Sequence, residues 1–107
     1  MSKTRCIIVD DEPLAIEVLK SHIQKLDSLE IVGTCADAIE AFDFLKSHKI
    51  DLVFLDINMP EMKGTDLVKT LKNPPAIVFT TAYREYAIES YDLNVLDYLL
   101  KPISFER

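Results

Sequence analysis

Five short apolar segments constrain the fold of this 107-residue chain more than any other feature. Four of them are apolar without interruption, whereas a strand with one solvated face would alternate apolar and polar residues. The five segments are residues 6–9, 29–35, 52–55, 76–79 and 98–100. Uninterrupted apolar strands are typical of a parallel sheet that helices cover on both faces. The second segment is more mixed and is predicted to be an edge strand.

Amphipathic segments alternate with these strands and are predicted to be helices. Apolar residues recur at spacings of three and four in 13–26, 38–48 and 64–72, and a weaker pattern covers 84–92. The inward stripe of the first helix is predicted to contain Ala15, Val18, Leu19, His22, Ile23 and Leu26. Strands that alternate with helices form right-handed crossovers. We therefore expect a doubly wound α/β fold with a five-stranded parallel sheet in the order 2-1-3-4-5.

Composition excludes several classes of function. Twelve Lys and Arg stand against 18 Asp and Glu, a formal net charge of −6, so we expect no direct binding of nucleic acid. The only glycines are Gly33 and Gly64, which excludes both common glycine-rich phosphate-binding loops. No apolar run is long enough to cross a membrane, and we expect no membrane association. The length fits a single domain over residues 1–107.

Polar residues follow four of the predicted strands at the point where each strand ends. They are Asp10, Asp11 and Glu12 after the first strand, Asp56 after the third, Thr80 and Thr81 after the fourth, and Lys101 after the fifth. In an open α/β sheet, ligands bind outside the carboxyl ends of the strands. A single aspartate there is commonly a turn former or a helix N-cap, but polar residues at four ends require another explanation. The predicted site consists of Asp10, Asp11, Asp56, Thr81 and Lys101.

The three carboxylates of this predicted site favour a bound cation. Each carboxylate pair costs about 1–4 kcal/mol at a separation near 4 Å, and a cation offsets that repulsion. Oxygen ligands without His or Cys select a hard cation, and the carboxylates are too few for a calcium site. We therefore expect Mg²⁺, which keeps water ligands and commonly binds beside a phosphate. An aspartate can itself carry a phosphoryl group, whose oxygens Lys101 and Thr81 would bind.

Four motifs resemble those of response-regulator receiver domains in two-component signalling. They are Val-Asp-Asp-Glu-Pro at 9–13, Leu-Asp-Ile-Asn-Met-Pro-Glu-Met-Lys-Gly at 55–64, Thr-Ala at 81–82 and Tyr-Leu-Leu-Lys-Pro at 98–102. The resemblance extends from residue 9 to residue 102 and depends on the order of the motifs as well as on their residues. It implies a flavodoxin-like fold.

The resemblance also implies a role for individual residues in binding metal and phosphate. Asp56 would be the phosphoacceptor, and Lys101 would bind the phosphoryl group. Asp11, Asp56 and the backbone carbonyl of Asn58 would bind Mg²⁺, with Asp10 acting mainly through water.

A switch pair is implied in addition, formed by Thr81 and Tyr98. Thr80 is the alternative to Thr81, but the family hydroxyl precedes a small residue, which here is Ala82.

The implied function is a phosphorylation-dependent switch. It would accept its phosphoryl group from a sensor histidine kinase and catalyse its own phosphotransfer and dephosphorylation. Residues 81–87 and 97–103 are most similar to the subgroup with a LytTR-type DNA-binding output domain. That subgroup implies a cytoplasmic protein that controls transcription through its output domain, which is absent from residues 1–107.

Receiver domains end in a fifth helix, and this chain ends at Arg107, where that helix would begin. We therefore expect a truncated fifth helix that leaves apolar surface on strands one and five uncovered. Such a surface favours burial against a second copy, so we expect self-association as a homodimer.

Three other functions compete with this hypothesis. A receiver-like interaction module that is not phosphorylated is disfavoured because all the site residues are present. A flavodoxin-like cofactor binder would need a neutral loop after the first strand, where the chain has Asp10, Asp11 and Glu12. A phosphatase with an aspartate nucleophile would need a second aspartate two positions after Asp56, where the chain has Asn58.

Overall fold

Strands and helices alternate from residue 4 to residue 81 of the structure, a computed structural model that describes residues 3–57, 59, 62–71, 74–81 and 97–101. The elements are β1 (Thr4–Val9), α1 (Pro13–Ile23), β2 (Leu29–Cys35), α2 (Ala38–Ser47), β3 (Leu52–Asp56), α3 (Gly64–Thr70), β4 (Ala76–Thr81) and β5 (Asp97–Leu100). The predicted α/β class is confirmed. The helix predicted at 84–92 and the start of a fifth helix lie outside the described residues.

A parallel sheet in the order β2-β1-β3-β4-β5 forms the centre of the fold. The strand order reverses between β1 and β3, where Val9 is the neighbour of Leu55. All five residues of β3 are buried, which explains its uninterrupted apolar run. β2 lies at an edge of the sheet and is mostly half-buried, as its mixed sequence predicts.

Side chains that alternate along the strands divide the core into two clusters, one on each face of the sheet. On the face covered by α1, called here the α1 face, the buried side chains are Cys6, Ile8, Leu19, Ile23, Leu52, Phe54 and Val78. On the opposite face, called the α2–α3 face, they include Ile7, Val9, Ala41, Val53, Leu55, Leu67, Ile77 and Phe79. Helices therefore cover the sheet on both faces.

The inward stripe predicted for α1 is partly wrong. Val18 and Leu26 are 42% and 43% exposed, whereas Leu19 and Ile23 are buried and Ile16 packs beside them. The spacing of residues 16, 19 and 23 gives a narrower stripe, which leaves Val18 on the flank of the helix. The helix ends at Ile23 rather than at residue 26, because the backbone turns there, with the Lys25 N–H donating to the carbonyl of His22.

Both cysteines are buried and unpaired, and they belong to different clusters. Cys6 lies on the α1 face, and Cys35 lies on the α2–α3 face. Burial raises the pKa of each thiol to about 11, with a further contribution from Glu30 at Cys6 and from Glu40 and Asp37 at Cys35.

Candidate functional site

The ends of β1 and β3 bring three carboxylates together. Asp10, Asp11 and Asp56 each offer an oxygen that lies within 4.8 Å of the other two. Asp10 and Asp56 are buried, at 1% and 3% exposed, whereas Asp11 is exposed. The cluster is thus closed on the protein side and accessible through Asp11. It contains all three carboxylates of the predicted site.

Both carboxylate oxygens of Asp10 are already engaged. Oδ1 accepts a hydrogen bond of 2.9 Å from the backbone N–H of Glu12, and Oδ2 lies 2.9 Å from Nζ of Lys101. The backbone N–H of Asp10 donates to the carbonyl of Cys35 at 3.0 Å, which anchors the residue to β2. Asp10 therefore shapes the start of α1 and neutralises a lysine, which leaves Asp11 and Asp56 for direct contact with a ligand.

Lys101 reaches the cluster from the residue after β5. Its backbone N–H donates to the carbonyl of Thr81 at 2.7 Å, which fixes the end of β5 against β4. Its ammonium nitrogen lies 2.9 Å from Asp10, 3.2 Å from Glu12 and 3.7 Å from Oδ1 of Asp56. Desolvation alone would lower the pKa of Lys101, but the hydrogen bond to Asp10 and the charges of Asp56 and Asp10 raise it above 10.5.

The contact of Glu12 with Lys101 is not predicted by the sequence. There Glu12 is only the third member of an acidic run, and its side chain is largely exposed in the structure. Its Oε1 accepts a hydrogen bond from Lys101 at 3.2 Å across 89 residues of chain. Glu12 directly precedes α1, and its backbone N–H donates a hydrogen bond to Oδ1 of Asp10. This hydrogen bond also keeps the Glu12 carboxylate beside the lysine.

Gly64 lies directly behind the backbone of Asp56. A Cβ atom at this position would collide with the carbonyl oxygen of Asp56 and would lie 3.1 Å from the side chain of Leu55. The N–H of Gly64 donates to the carbonyl of Ile57 at 2.8 Å, which closes the connection between β3 and α3. Only glycine allows this approach. The residue is part of the motif at 55–64, but its structural role could not be deduced from the sequence.

Both candidate threonines are buried at the end of β4. Thr80 is the sheet neighbour of Asp56, and its carbonyl accepts a hydrogen bond of 3.1 Å from the N–H of Ile57. Thr81 is the next residue and is the sheet neighbour of Leu100. Asn58 lies outside the described residues, and so does the side chain of Tyr98. The backbone of Tyr98 is placed in β5 as the neighbour of Phe79.

The oxygen ligands of this cluster fit a hard divalent cation. Asp11 and Asp56 supply carboxylates, and no His or Cys belongs to the cluster. Lys101 offsets part of the negative charge but leaves Asp11 without an ion pair among the described residues. Two carboxylates with water in the other positions are typical of Mg²⁺. The residues present therefore fit Mg²⁺.

Comparison with known proteins connects this geometry to a family. Residues 6–107 match the family described as the response regulator receiver domain. The chain belongs to that receiver family. It is a receiver domain of the kind found in two-component response regulators, and its parallel α/β fold is the fold of that family.

Two curated relatives of this receiver domain are regulatory proteins. It is 47% identical over 105 residues to the transcriptional regulatory protein BtsR of Salmonella typhi, and 43% identical over 107 residues to the sensory transduction protein LytT of Bacillus anthracis. Each match covers 96% of this chain, but only 44% of BtsR and 43% of LytT. The chain thus spans less than half the length of these relatives.

One solved relative is a complex with Mg²⁺ and BeF. The response regulator TrrA of Thermotoga maritima, in complex with Mg²⁺ and BeF, has a TM-score of 0.83 and 32% sequence identity. That match covers 99% of this chain and 91% of TrrA.

Within the described residues, no helix of this receiver domain has the length and apolarity needed to cross a membrane.

Proposed function

We propose that this receiver domain accepts a phosphoryl group on Asp56 with Mg²⁺ bound, and that the phosphorylated form controls an output domain. The observation that supports this most directly is the arrangement of Lys101 and the three carboxylates. The lysine neutralises the two buried members, while the exposed Asp11 stays open to a cation. A site built in this way can receive a dianionic group that uncompensated carboxylates would repel.

In the proposed reaction, one oxygen of Asp56 attacks the phosphorus of a phosphohistidine. The new P–O bond forms as the P–N bond breaks, and the imidazole leaves with the electron pair and takes up a proton from solvent. Mg²⁺, held by Asp11, Asp56 and the carbonyl of Asn58, would neutralise charge on the carboxylate and on the transferred group. Asp10 would act on the metal mainly through water, since both of its oxygens have protein partners.

The protein's own contribution is mostly to position charges. The ammonium nitrogen of Lys101 lies 3.7 Å from Oδ1 of Asp56, so it is placed to bind the oxygens of a phosphoryl group on that carboxylate. Contact with Lys101 would replace water that the phosphoryl group loses on transfer. Water that enters the site later would hydrolyse the acyl phosphate and return the carboxylate, so the domain would also catalyse its own dephosphorylation.

The signal would leave the site through β4 and β5. The carbonyl of Thr81 accepts a hydrogen bond of 2.7 Å from the backbone N–H of Lys101, and Tyr98 lies in β5, the strand that directly precedes Lys101. We propose that Thr81 and Tyr98 form the switch pair, in which bonding of Thr81 to the phosphoryl group lets Tyr98 change position. Such coupling shifts an equilibrium between two existing arrangements.

The relatives support proposals about the partners. The phosphodonor would be a sensor histidine kinase, and the output domain would be of the LytTR type, as the similarity to LytT suggests. The complete protein would act in the cytoplasm and regulate transcription, as the name of BtsR suggests. We also propose that the receiver pairs with a second copy.

Mass spectrometry after incubation with acetyl phosphate tests the central proposal. With Mg²⁺ the wild-type protein should gain one phosphoryl group on Asp56, and removal of the metal should prevent it. Asp56→Asn should not be labelled, whereas the matched surface variant Asp27→Asn should be labelled like the wild type. A wild-type protein that stays unlabelled would instead indicate an interaction module that works without phosphorylation.

A further inference from the structure

The side-chain hydroxyl of Thr80 is buried and makes no hydrogen bond with any described residue of the unphosphorylated protein. The residue is 1% exposed, and its hydroxyl oxygen has no hydrogen-bond partner within the described part of the chain. A buried hydroxyl without a partner costs free energy, and nearly all buried polar groups are therefore paired. A valine would fill the same space without this cost. The position thus calls for a functional explanation.

Thr80 lies in one row with the two buried carboxylates. The sheet register makes it the direct neighbour of Asp56, and adjacent strands lie about 4.8 Å apart. Because side chains alternate along a strand, Thr80 shares the α1 face with Val78, and Asp56 shares that face with Phe54. The same alternation places Asp10 on the face of Ile8. Three adjacent strands therefore present Asp10, Asp56 and Thr80 side by side.

Thr81 occupies a different position relative to this row. It follows Thr80 by one residue, so alternation places it on the α2–α3 face with Ile77 and Phe79. The hydroxyl that lies on the same face as Asp56 is therefore that of Thr80. The two hydroxyls would therefore reach the phosphoryl group from different faces of the sheet, at the edge where β4 ends.

We propose that the hydroxyl of Thr80 binds an oxygen of the phosphoryl group on Asp56, as a second hydroxyl beside that of Thr81. The inference rests on the proposed function, since it requires Asp56 to be the phosphoacceptor. In the unphosphorylated protein the hydroxyl is unsatisfied, and transfer supplies a charged acceptor beside it. A hydrogen bond to a charged oxygen is stronger than one between neutral groups. Thr80 therefore favours the phosphorylated form in two ways. Its unsatisfied hydroxyl destabilises the unphosphorylated form, and its hydrogen bond to the phosphoryl oxygen stabilises the phosphorylated form.

The proposal predicts effects of opposite sign for Thr80→Val. This variant removes the unsatisfied hydroxyl and keeps the side-chain shape, so the melting temperature of the unphosphorylated protein should rise. Labelling of Asp56 by acetyl phosphate with Mg²⁺ should become about tenfold slower, which corresponds to the loss of one charge-assisted hydrogen bond. A residue with only a packing role would not combine higher stability with slower phosphorylation.

Thr80→Ser is the matched variant that keeps the hydroxyl. Its labelling rate should stay close to that of the wild type, while its melting temperature should fall because a buried methyl group is lost. The same variants should be titrated with beryllofluoride and Mg²⁺, with the thermal shift as the readout. Thr80→Val should need about tenfold more beryllofluoride for a given shift, as expected for one lost hydrogen bond to the ligand.

The outcomes separate this inference from the proposed function. If Thr80→Val is labelled at the wild-type rate, or if Thr80→Ser is as slow as Thr80→Val, the role of the hydroxyl is refuted while Asp56 remains the phosphoacceptor. If the wild-type protein is not labelled and gives no beryllofluoride shift, both proposals fall together. Circular dichroism of each variant confirms that the fold is retained.

Discussion

The ammonium nitrogen of Lys101 lies 2.9 Å from a carboxylate oxygen of Asp10, whose side chain is fully buried. This ion pair joins the end of β5 to the end of β1, the two outer contributors to the site. Because the Asp10 carboxylate is removed from bulk solvent, it depends on the lysine for its counter-charge. Several properties of the protein follow from this dependence.

Replacing Lys101 by Met should destabilise the unphosphorylated protein strongly. The variant leaves a buried carboxylate without its cation, which costs about 2–4 kcal/mol after allowance for the partly exposed lysine. The free energy of unfolding in urea measures the effect. Lys20→Met is the matched control, because Lys20 pairs with Glu17 at 3.5 Å on the surface. That variant should change the stability by less than about 1 kcal/mol. Equal losses of unfolding free energy in the two variants would contradict a special role for the ion pair between Lys101 and Asp10.

The same ion pair should make stability depend on pH in the alkaline range. The folded-state pKa of Lys101 is raised above 10.5, so the folded protein holds this proton more tightly than the unfolded chain does. The stabilisation is therefore complete below the unfolded value and is lost as pH rises through the folded value. Unfolding free energies of wild type and Lys101→Met should converge as pH increases above 10.5. If the difference in unfolding free energy between the two proteins stays constant over that range, the charge on Lys101 is not the origin of the difference.

The two buried thiols should react slowly in the folded protein. Burial raises the pKa of Cys6 and Cys35 to about 11, so little thiolate forms near neutral pH and the sulfur atoms are inaccessible. In guanidinium chloride, which unfolds the protein, a disulfide reagent should modify both thiols rapidly. In the folded protein both thiols should react much more slowly. Rapid reaction of the native protein would show that the helix packing on the α1 face or on the α2–α3 face opens readily and exposes a thiol.

Substitution of Gly64 by Ala should impair phosphorylation as well as stability. The new Cβ would collide with the carbonyl of Asp56, so the end of β3 must shift. Strain of this kind costs about 1–3 kcal/mol. The rate of labelling by acetyl phosphate should fall together with the melting temperature. Gly33→Ala is the control, since its Cβ would meet only the ring of Phe44, at 3.0 Å. Labelling of that variant should be unchanged even where its stability is reduced.

Magnesium should stabilise the protein through Asp11. A ligand that binds only the folded state adds about 2.7 kcal/mol at 100 times its dissociation constant, so the melting temperature should rise with Mg²⁺. Asp11→Asn removes an exposed carboxylate of the cluster and should weaken this response, with sodium chloride at equal ionic strength as the control. A wild-type melting temperature that is indifferent to Mg²⁺ would argue against the metal site.

Sequence patterns predicted the strands and the acidic cluster because both depend on local order. An apolar run followed by aspartate marks the end of a buried strand, and parallel strands bring such ends to one edge of the sheet. The hydrogen bond between Glu12 and Lys101 could not be foreseen, since it closes across 89 residues and depends on side-chain reach. The approach of Gly64 to Asp56 likewise depends on backbone geometry, and the exposure of Val18 depends on how α1 rotates on the sheet.

The contact between Glu12 and Lys101 also has a kinetic meaning. It joins residues 89 positions apart, so the loop that it closes includes nearly every other element of the domain. Closing so long a loop early in folding would be entropically unfavourable, and contacts of this range form when most of the sheet is in place. We therefore expect the lysine to enter the acidic cluster late in folding. A chain that is still folding has the carboxylates but lacks their cation, and phosphate chemistry at this site begins only when the sheet is assembled.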